Sequence, residues 1–194
     1  LYDNLAGIGI SAGCVGNRIE GNEITGNTTG LDVQGEGNTI ADNTVRDNAD
    51  NYDFAAGNHL NLLLCEIPET LDWPCSVLLA GTLSTDQTGV NGITVAADDV
   101  TIDLGGHTLV GPGDDSGTGI DQDESYRNLK VLNGRVTDWR GYDQMGIAAG
   151  NAAILTDVQV TTNTIGIEVH DGSVLTRCLA RGNIGSYGIY VGRV

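Results

Sequence analysis

The segment Gly16-Asn17-Arg18-Ile19-Glu20-Gly21-Asn22-Glu23-Ile24-Thr25-Gly26-Asn27 returns 21 positions later as Gly37-Asn38-Thr39-Ile40-Ala41-Asp42-Asn43-Thr44-Val45-Arg46-Asp47-Asn48. Every Asn keeps its offset, and so do the aliphatic pairs Ile19/Ile40 and Ile24/Val45. A second series, Gly-(Ile/Leu)-x-(Val/Ile/Ala), begins at Gly7, Gly30, Gly92, Gly146, Gly166 and Gly188, with a partial match, GIDQ, at Gly119. A unit of 20 to 23 residues with short alternating stretches between Gly and Asn has an apolar side that it cannot bury alone, so it must stack on its neighbours. Alternating aliphatics such as Ile167 and Val169, then Val174 and Leu179, face one interior, while Thr, Asp and Arg face water. The chain is therefore expected to be all-β, a parallel β-helix forming one domain over residues 1–194.

Other repeats of this length fit poorly. Helical units need long runs of Ala, Leu, Glu and Lys, and leucine-rich repeats need an L-x-x-L-x-L spacing; the chain has neither, and its 29 Gly argue against helices. At the turns, Asn tolerates the left-handed conformation and can bond to the Asn one coil away. This predicts stacked ladders Asn17/Asn38, Asn22/Asn43 and Asn27/Asn48 with a structural role.

These residues resemble the right-handed parallel β-helix proteins of the pectate-lyase-like superfamily. Gly92-ITVAADDVTIDLGGHTL-Val110 is similar to the opening coil of many such domains, and GNRIEGNEITGN at 16–27 to their later coils. The resemblance implies a right-handed β-helix and leaves activity open, since the superfamily includes lyases, hydrolases, epimerases, adhesins and structural proteins. The order is rotated: late-type coils occupy 1–51, a junction or cap 52–74, and opening and middle coils 75–194. Written last-to-first, Gly192-Arg193-Val194-Leu1-Tyr2-Asp3-Asn4-Leu5-Ala6 aligns without a gap on Gly172–Ala180. The chain then reads either as a circular permutant or as one period of a longer array.

Open β-helix ends expose strand edges and apolar cores, and joining end to end satisfies both. The expected function is accordingly an extracellular structural module stacking head to tail on itself into a filament or surface array. The expected end-to-end surfaces are Leu1, Tyr2, Leu5, Leu60, Leu62, Leu64, Val191 and Val194, with the Leu60–Pro74 stretch as cap or plug. The alternative is a carbohydrate-active or carbohydrate-binding β-helix whose partner is an extracellular polysaccharide.

Charge narrows the partners. With 9 Lys+Arg against 26 Asp+Glu, a net charge of −17, the chain repels phosphate backbones, so no nucleic acid is expected. No apolar run approaches the roughly 18 residues of a membrane span, so no membrane insertion is expected. No basic segment followed by an apolar one opens the chain, so a secretion signal, if any, has been removed or lies outside it. Cys14, Cys65, Cys75 and Cys178 lack C-x-x-C spacing, which argues against zinc or a redox pair and points to an extracellular or cell-surface location. Cys65 and Cys75, ten residues apart, are either a disulfide closing a small loop or two buried thiols.

Candidate chemistry is sparse, and no catalytic residue is assigned. A polysaccharide lyase needs a basic residue as proton acceptor, yet Lys130 is the sole lysine and Arg18, Arg46, Arg177 and Arg181 form no file. Glycoside hydrolysis needs two carboxyl groups, for which Asp98-Asp99, Asp114-Asp115 and His170-Asp171-Gly172 supply only fragments resembling the polygalacturonase motifs. His107, in GGHTL, reads as a turn residue. No cofactor is expected beyond calcium, for which Asp121, Asp123 and Glu124 form the densest carboxylate cluster; a solvated loop is the competing reading. Trp139 and Tyr142, flanked by Arg140, are either a sugar-stacking platform or the cover of a core edge.

Overall fold

The computed structural model describes residues 4–192, and among these there is no helix: parallel strands stack as a β-solenoid of about eight turns. The chain divides into two compact units, Leu1–Cys65 with Cys75–Leu78 and Glu66–Pro74 with Leu79–Val194. Leu1, Tyr2 and Val194 of the expected end surfaces lie outside the described residues.

The first unit contains β1 (Ala6–Ile10), β2 (Arg18–Glu20), β3 (Glu23–Ile24), β4 (Thr29–Val33), β5 (Thr39–Val45), β6 (Asp50–Phe54) and β7 (His59–Leu64). β1, β4 and β6 pair in parallel, setting Ile8 on Leu31 on Tyr52 and Ile10 on Val33 on Phe54. β2 and β3 pair with β5, and β5 with β7, setting Ile19 on Ile40 on Leu60 and Ile24 on Val45. The 21-residue offset in the sequence is therefore one coil, and its aliphatic positions are the buried core.

Leu60, Leu62 and Leu64 are corrected by this arrangement. All three are buried on the inner face of β7 while His59 and Asn61 point outward, so they are core residues and not an end surface or plug. Strand alternation puts them inside, because every second residue of an extended chain faces the same way. Cys75 is buried in the core, and Cys65 Sγ lies 3.5 Å from the Leu63 carbonyl.

The corners explain the Gly-Asn pairs. A residue in the left-handed region stands immediately before each ladder asparagine: Gly16, Gly21, Gly26, Gly37, Asp42, Asp47 and Gly57 all have positive φ, and the asparagines that follow do not. Glycine takes that conformation without a steric penalty, and Asp with a small one. The expected reason for the asparagines is thus displaced by one position. The asparagine amides also bind strand carbonyls at the corner, adding to the Arg46 N–H on Ile24 O and the Gly21 N–H on Ala41 O: Asn43 Nδ2 donates to Ile19 O (2.9 Å) and Ala41 O (3.0 Å), and Asn48 Nδ2 to Ile24 O (3.2 Å) and Arg46 O (3.0 Å). The three predicted rungs are present, with Oδ1 of Asn38, Asn43 and Asn48 each accepting both the backbone N–H and Nδ2–H of the partner one coil earlier at 2.9–3.1 Å.

Beyond β7 come β8 (Glu69–Leu71), β9 (Ser76–Leu79), β10 (Leu83–Ser84), β11 (Ile93–Val95), β12 (Thr101–Asp103), β13 (Thr108–Asp114) and β14 (Ile120–Gln122). They are followed by β15 (Lys130–Arg140), β16 (Met145–Ala149), β17 (Ile154–Thr161), β18 (Ile165–Val169), β19 (Val174–Thr176), β20 (Leu179–Arg181) and β21 (Ile189–Val191). In the second unit β8, β11, β14, β16, β18 and β21 form one parallel sheet, with Ile93, Ile120, Ile147, Ile167 and Ile189 in one file. Strands β15 and β17 turn a corner without ending, through Asn133 and Asp157 at positive φ, so each pairs with two shorter strands on the same side.

At Gly7, Gly30, Gly92, Gly119, Gly146 and Gly166 glycine opens the tetrapeptide because nothing larger fits, whereas Gly188, in the exposed last coil, has room for a Cβ. A Cβ on Gly30 would stand 2.5 Å from Val45 Cγ1 and 2.9 Å from the ladder amide of Asn48; on Gly146 it would meet Val160 Cγ1 and stand 2.7 Å from the Asn163 amide. The motif is a packing device in which ladder and core squeeze the strand entrance from the inside.

Candidate functional site

Two surfaces carry features that packing alone does not use. The first is a pair of sheet-edge strands, β1 in the first unit and β21 in the second. Among the described residues of the second unit β21 pairs with β18 alone, and it continues two core files, Ile189 over Ile167 and Val191 over Val169. Yet Ile189 is 44% and Val191 66% exposed, whereas Ile167 and Val169 are buried. Val174, Leu179, Ile184 and Tyr187 of the same coil are exposed as well. Among the described residues of the first unit β1 pairs with β4 alone, Ile8 and Ile10 are half-buried, and Leu5 is 82% exposed. Of the described residues expected at end surfaces, Leu5 and Val191 are exposed.

The second surface is a cleft of about 440 Å³ on the outer face of the second unit, lined by Asp121, Asp123, Glu124, Met145, Glu168 and His170 among others. It follows from the tetrapeptides. The third residue of each points outward and stacks on its counterpart, giving the file Thr94, Asp121, Ala148, Glu168, Tyr190. The small Ala148 leaves a gap between two acids that stand two coils apart, roughly 10 Å along the stack. Asp121 and the cluster at Asp123 and Glu124 were visible in the sequence. Glu168 was visible only as the outward position of GIEV, and His170 only within a motif fragment.

The His170 side chain is only 8% exposed, with Nε2 3.6 Å from Glu168 Oε1 and 3.9 Å from Glu124 Oε1 and with Nδ1 buried and unpartnered. Both carboxylates thus lie within 4 Å of one ring nitrogen, so they are no more than about 8 Å apart, inside the span used by paired acids in glycoside hydrolysis. Burial pushes the Asp121 carboxyl above the usual carboxylate range; a bond from Asn91 Nδ2 at 2.8 Å opposes this and nearby Asp123 adds to it. Of the calcium candidates, which all line this cleft, Asp121 accepts from Asn91 Nδ2 and Asp123 accepts the Ser125 N–H at 2.8 Å.

Asp121 yields a pH prediction. An acid whose folded pKa is raised binds more protons folded than unfolded, so its contribution to stability is highest below the unfolded value of about 4 and falls as pH rises through the folded one. Asp121→Asn keeps an acceptor for Asn91 and removes the buried charge. Thermal melts at pH 7 are expected to show the variant at least as stable as the parent, with the difference shrinking at pH 4; a variant clearly less stable at pH 7 contradicts this.

Trp139 is fully buried, and glycines make its room: a Cβ on Gly92, Gly111 or Gly119 would stand 2.7 to 2.9 Å from its ring. Tyr142 is 91% exposed, so the two form no joint sugar platform, and Arg140 lies 3.4 Å from Asp114 Oδ1. Asp98 and Asp99 accept from Arg127 N and Asn128 Nδ2, each at 2.9 Å, and the His107 N–H closes a turn onto Leu104 O at 2.8 Å. The ladder also continues where the sequence did not reveal it: Asn163 Oδ1 accepts the Trp139 N–H at 3.0 Å, and Asn183 Oδ1 accepts the Asn163 N–H at 3.0 Å.

No protein-family model, curated protein or solved structure matches the chain.

Proposed function

We propose that the chain is a structural β-solenoid module of an extracellular or cell-surface array, and that it works by adding to further copies of itself at the edge strands β1 and β21. The observation that carries this reading is that β21 continues two core files, Ile189 and Val191, with side chains left in water. Apolar side chains stacked in register gain roughly 1.5–3 kcal/mol each when fully buried, and a parallel edge strand offers a full row of unpaired backbone groups. The double variant Ile189→Lys/Val191→Lys tests it. Both side chains are already exposed, so the fold is expected to survive with a melting temperature within a few degrees of the parent, while concentration-dependent association in sedimentation velocity disappears. Association unchanged by the two lysines overturns the reading.

One observation favours a second reading, a carbohydrate-active or carbohydrate-binding β-helix of the pectate-lyase-like kind: the Glu124 and Glu168 carboxylates held within 4 Å of His170 Nε2 in an open lateral cleft. It predicts depolymerisation of an acidic or neutral polysaccharide that Glu168→Gln abolishes. Loss of no activity in that variant, where the parent has any, removes it.

A further inference from the structure

We infer that association between copies is polar, head to tail, and that the asparagine ladder fixes its direction. The inference rests on the self-association proposed above and adds which end meets which.

Every rung runs one way. Asn4 Nδ2 donates to Asn27 Oδ1, Asn17 and Asn22 to Asn38 and Asn43, Asn27 to Asn48, Asn38 to Asn58, and Asn163 to Asn183. The donor is always on the earlier coil and the acceptor on the later one. A ladder built so has unlike ends: the earliest rung keeps an open Oδ1, and the latest keeps an open backbone N–H. Among the described residues no donor reaches Asn4 Oδ1, and no acceptor meets the Asn183 N–H. These are complementary groups at equivalent corners. Asn4 stands three residues before the glycine of its tetrapeptide, as Asn27 does before Gly30 and Asn163 before Gly166; Asn183 stands five before Gly188 and is placed at this corner by its bonds with Asn163.

The strands agree with the ladder. A second copy placing its β1 beside β21 in parallel continues the files with Ile8 over Ile189 and Ile10 over Val191, and brings its Asn4 Oδ1 to the Asn183 N–H. Two copies meeting through like ends would set N–H against N–H or Oδ1 against Oδ1. An unmade hydrogen bond in a closed interface costs more than the made one gains, so the like-ended arrangements are disfavoured. The occupant of the β21 edge is thus a second copy of this chain, presenting its first coil. Contacts of this heterologous kind repeat without closing unless the rotation between copies closes a ring.

Two end-blocked variants separate the possibilities. Ile189→Lys/Val191→Lys blocks the β21 end, and Ile8→Lys/Ile10→Lys blocks the β1 end; circular dichroism confirms that each is folded. Light scattering is expected to give monomer mass for each alone and twice that mass for their equimolar mixture. A dimer formed by either variant alone overturns the polarity while leaving self-association standing. A parent chain that stays monomeric overturns self-association itself and the polarity with it. Asn4→Leu, at an exposed position, gives an independent reading: it leaves Asn183 without an acceptor and is expected to weaken association of the otherwise unaltered chain about tenfold or more. Unchanged association in Asn4→Leu overturns the role of the ladder.

Discussion

Gly146→Ala is expected to destabilise the second unit by about 3 kcal/mol, the upper end of what overpacking a core costs. The added methyl group has nowhere to go. It meets Val160 Cγ1, the Asn163 amide at 2.7 Å and the Gly166 carbonyl at 3.0 Å, and two of these are fixed by the ladder and the neighbouring strand. In a chain of this size such a loss lowers the melting temperature by roughly 6–12 °C. Gly9→Ala is the control. It lies in β1, and its Cβ would find nothing nearer than 4.0 Å, so it is expected to be neutral or slightly stabilising through the unfolded chain. Equal effects at the two positions, measured by thermal melts, contradict the account of the tetrapeptide glycine.

The second large effect concerns Asn163, which is fully buried. Its Oδ1 accepts the Trp139 N–H, its Nδ2 donates to Val136 O at 3.3 Å, and its N–H and Nδ2 both reach Asn183 Oδ1. Asn163→Leu strands the Trp139 N–H and the Val136 carbonyl away from water, at roughly 1–3 kcal/mol each, and forces a branched side chain into the space. A total of about 3–5 kcal/mol is expected from urea denaturation followed by circular dichroism. Asn17→Leu, at an exposed rung where no earlier coil donates, is expected to cost about 1 kcal/mol or less. Similar losses at both positions would mean that the buried amide is not what holds the corner.

How much of this could be read from the residues depends on whether one coil suffices to see it. The 21-residue offset, the alternating aliphatics and the rungs from Asn17 to Asn48 are repeated in the chain itself, so stacking follows from comparing two segments. The Asn163–Asn183 rungs escaped because Thr162 replaces the usual Gly or Asp before the first asparagine, and Trp139 stands where the preceding rung would be. In the sequence Trp139 reads either as a sugar platform or as the cover of a core edge, because Arg140 and Tyr142 flank it. The glycines that make room for it, Gly92, Gly111 and Gly119, lie on other strands and gain their meaning only after stacking. Leu62-Leu63-Leu64 read as an apolar run, although His59, Asn61 and the leucines alternate as any strand does. The lateral cleft required the register between coils, since Asp121 and Glu168 are far apart in sequence and meet across Ala148.

The most direct test of the account is the mass of the unaltered chain across a dilution series by multi-angle light scattering, with negative-stain microscopy of the concentrated sample. Stacking at the edge strands predicts a mass that grows with concentration and thin rods with a regular axial repeat. Monomer mass at every concentration, with no rods, would contradict it.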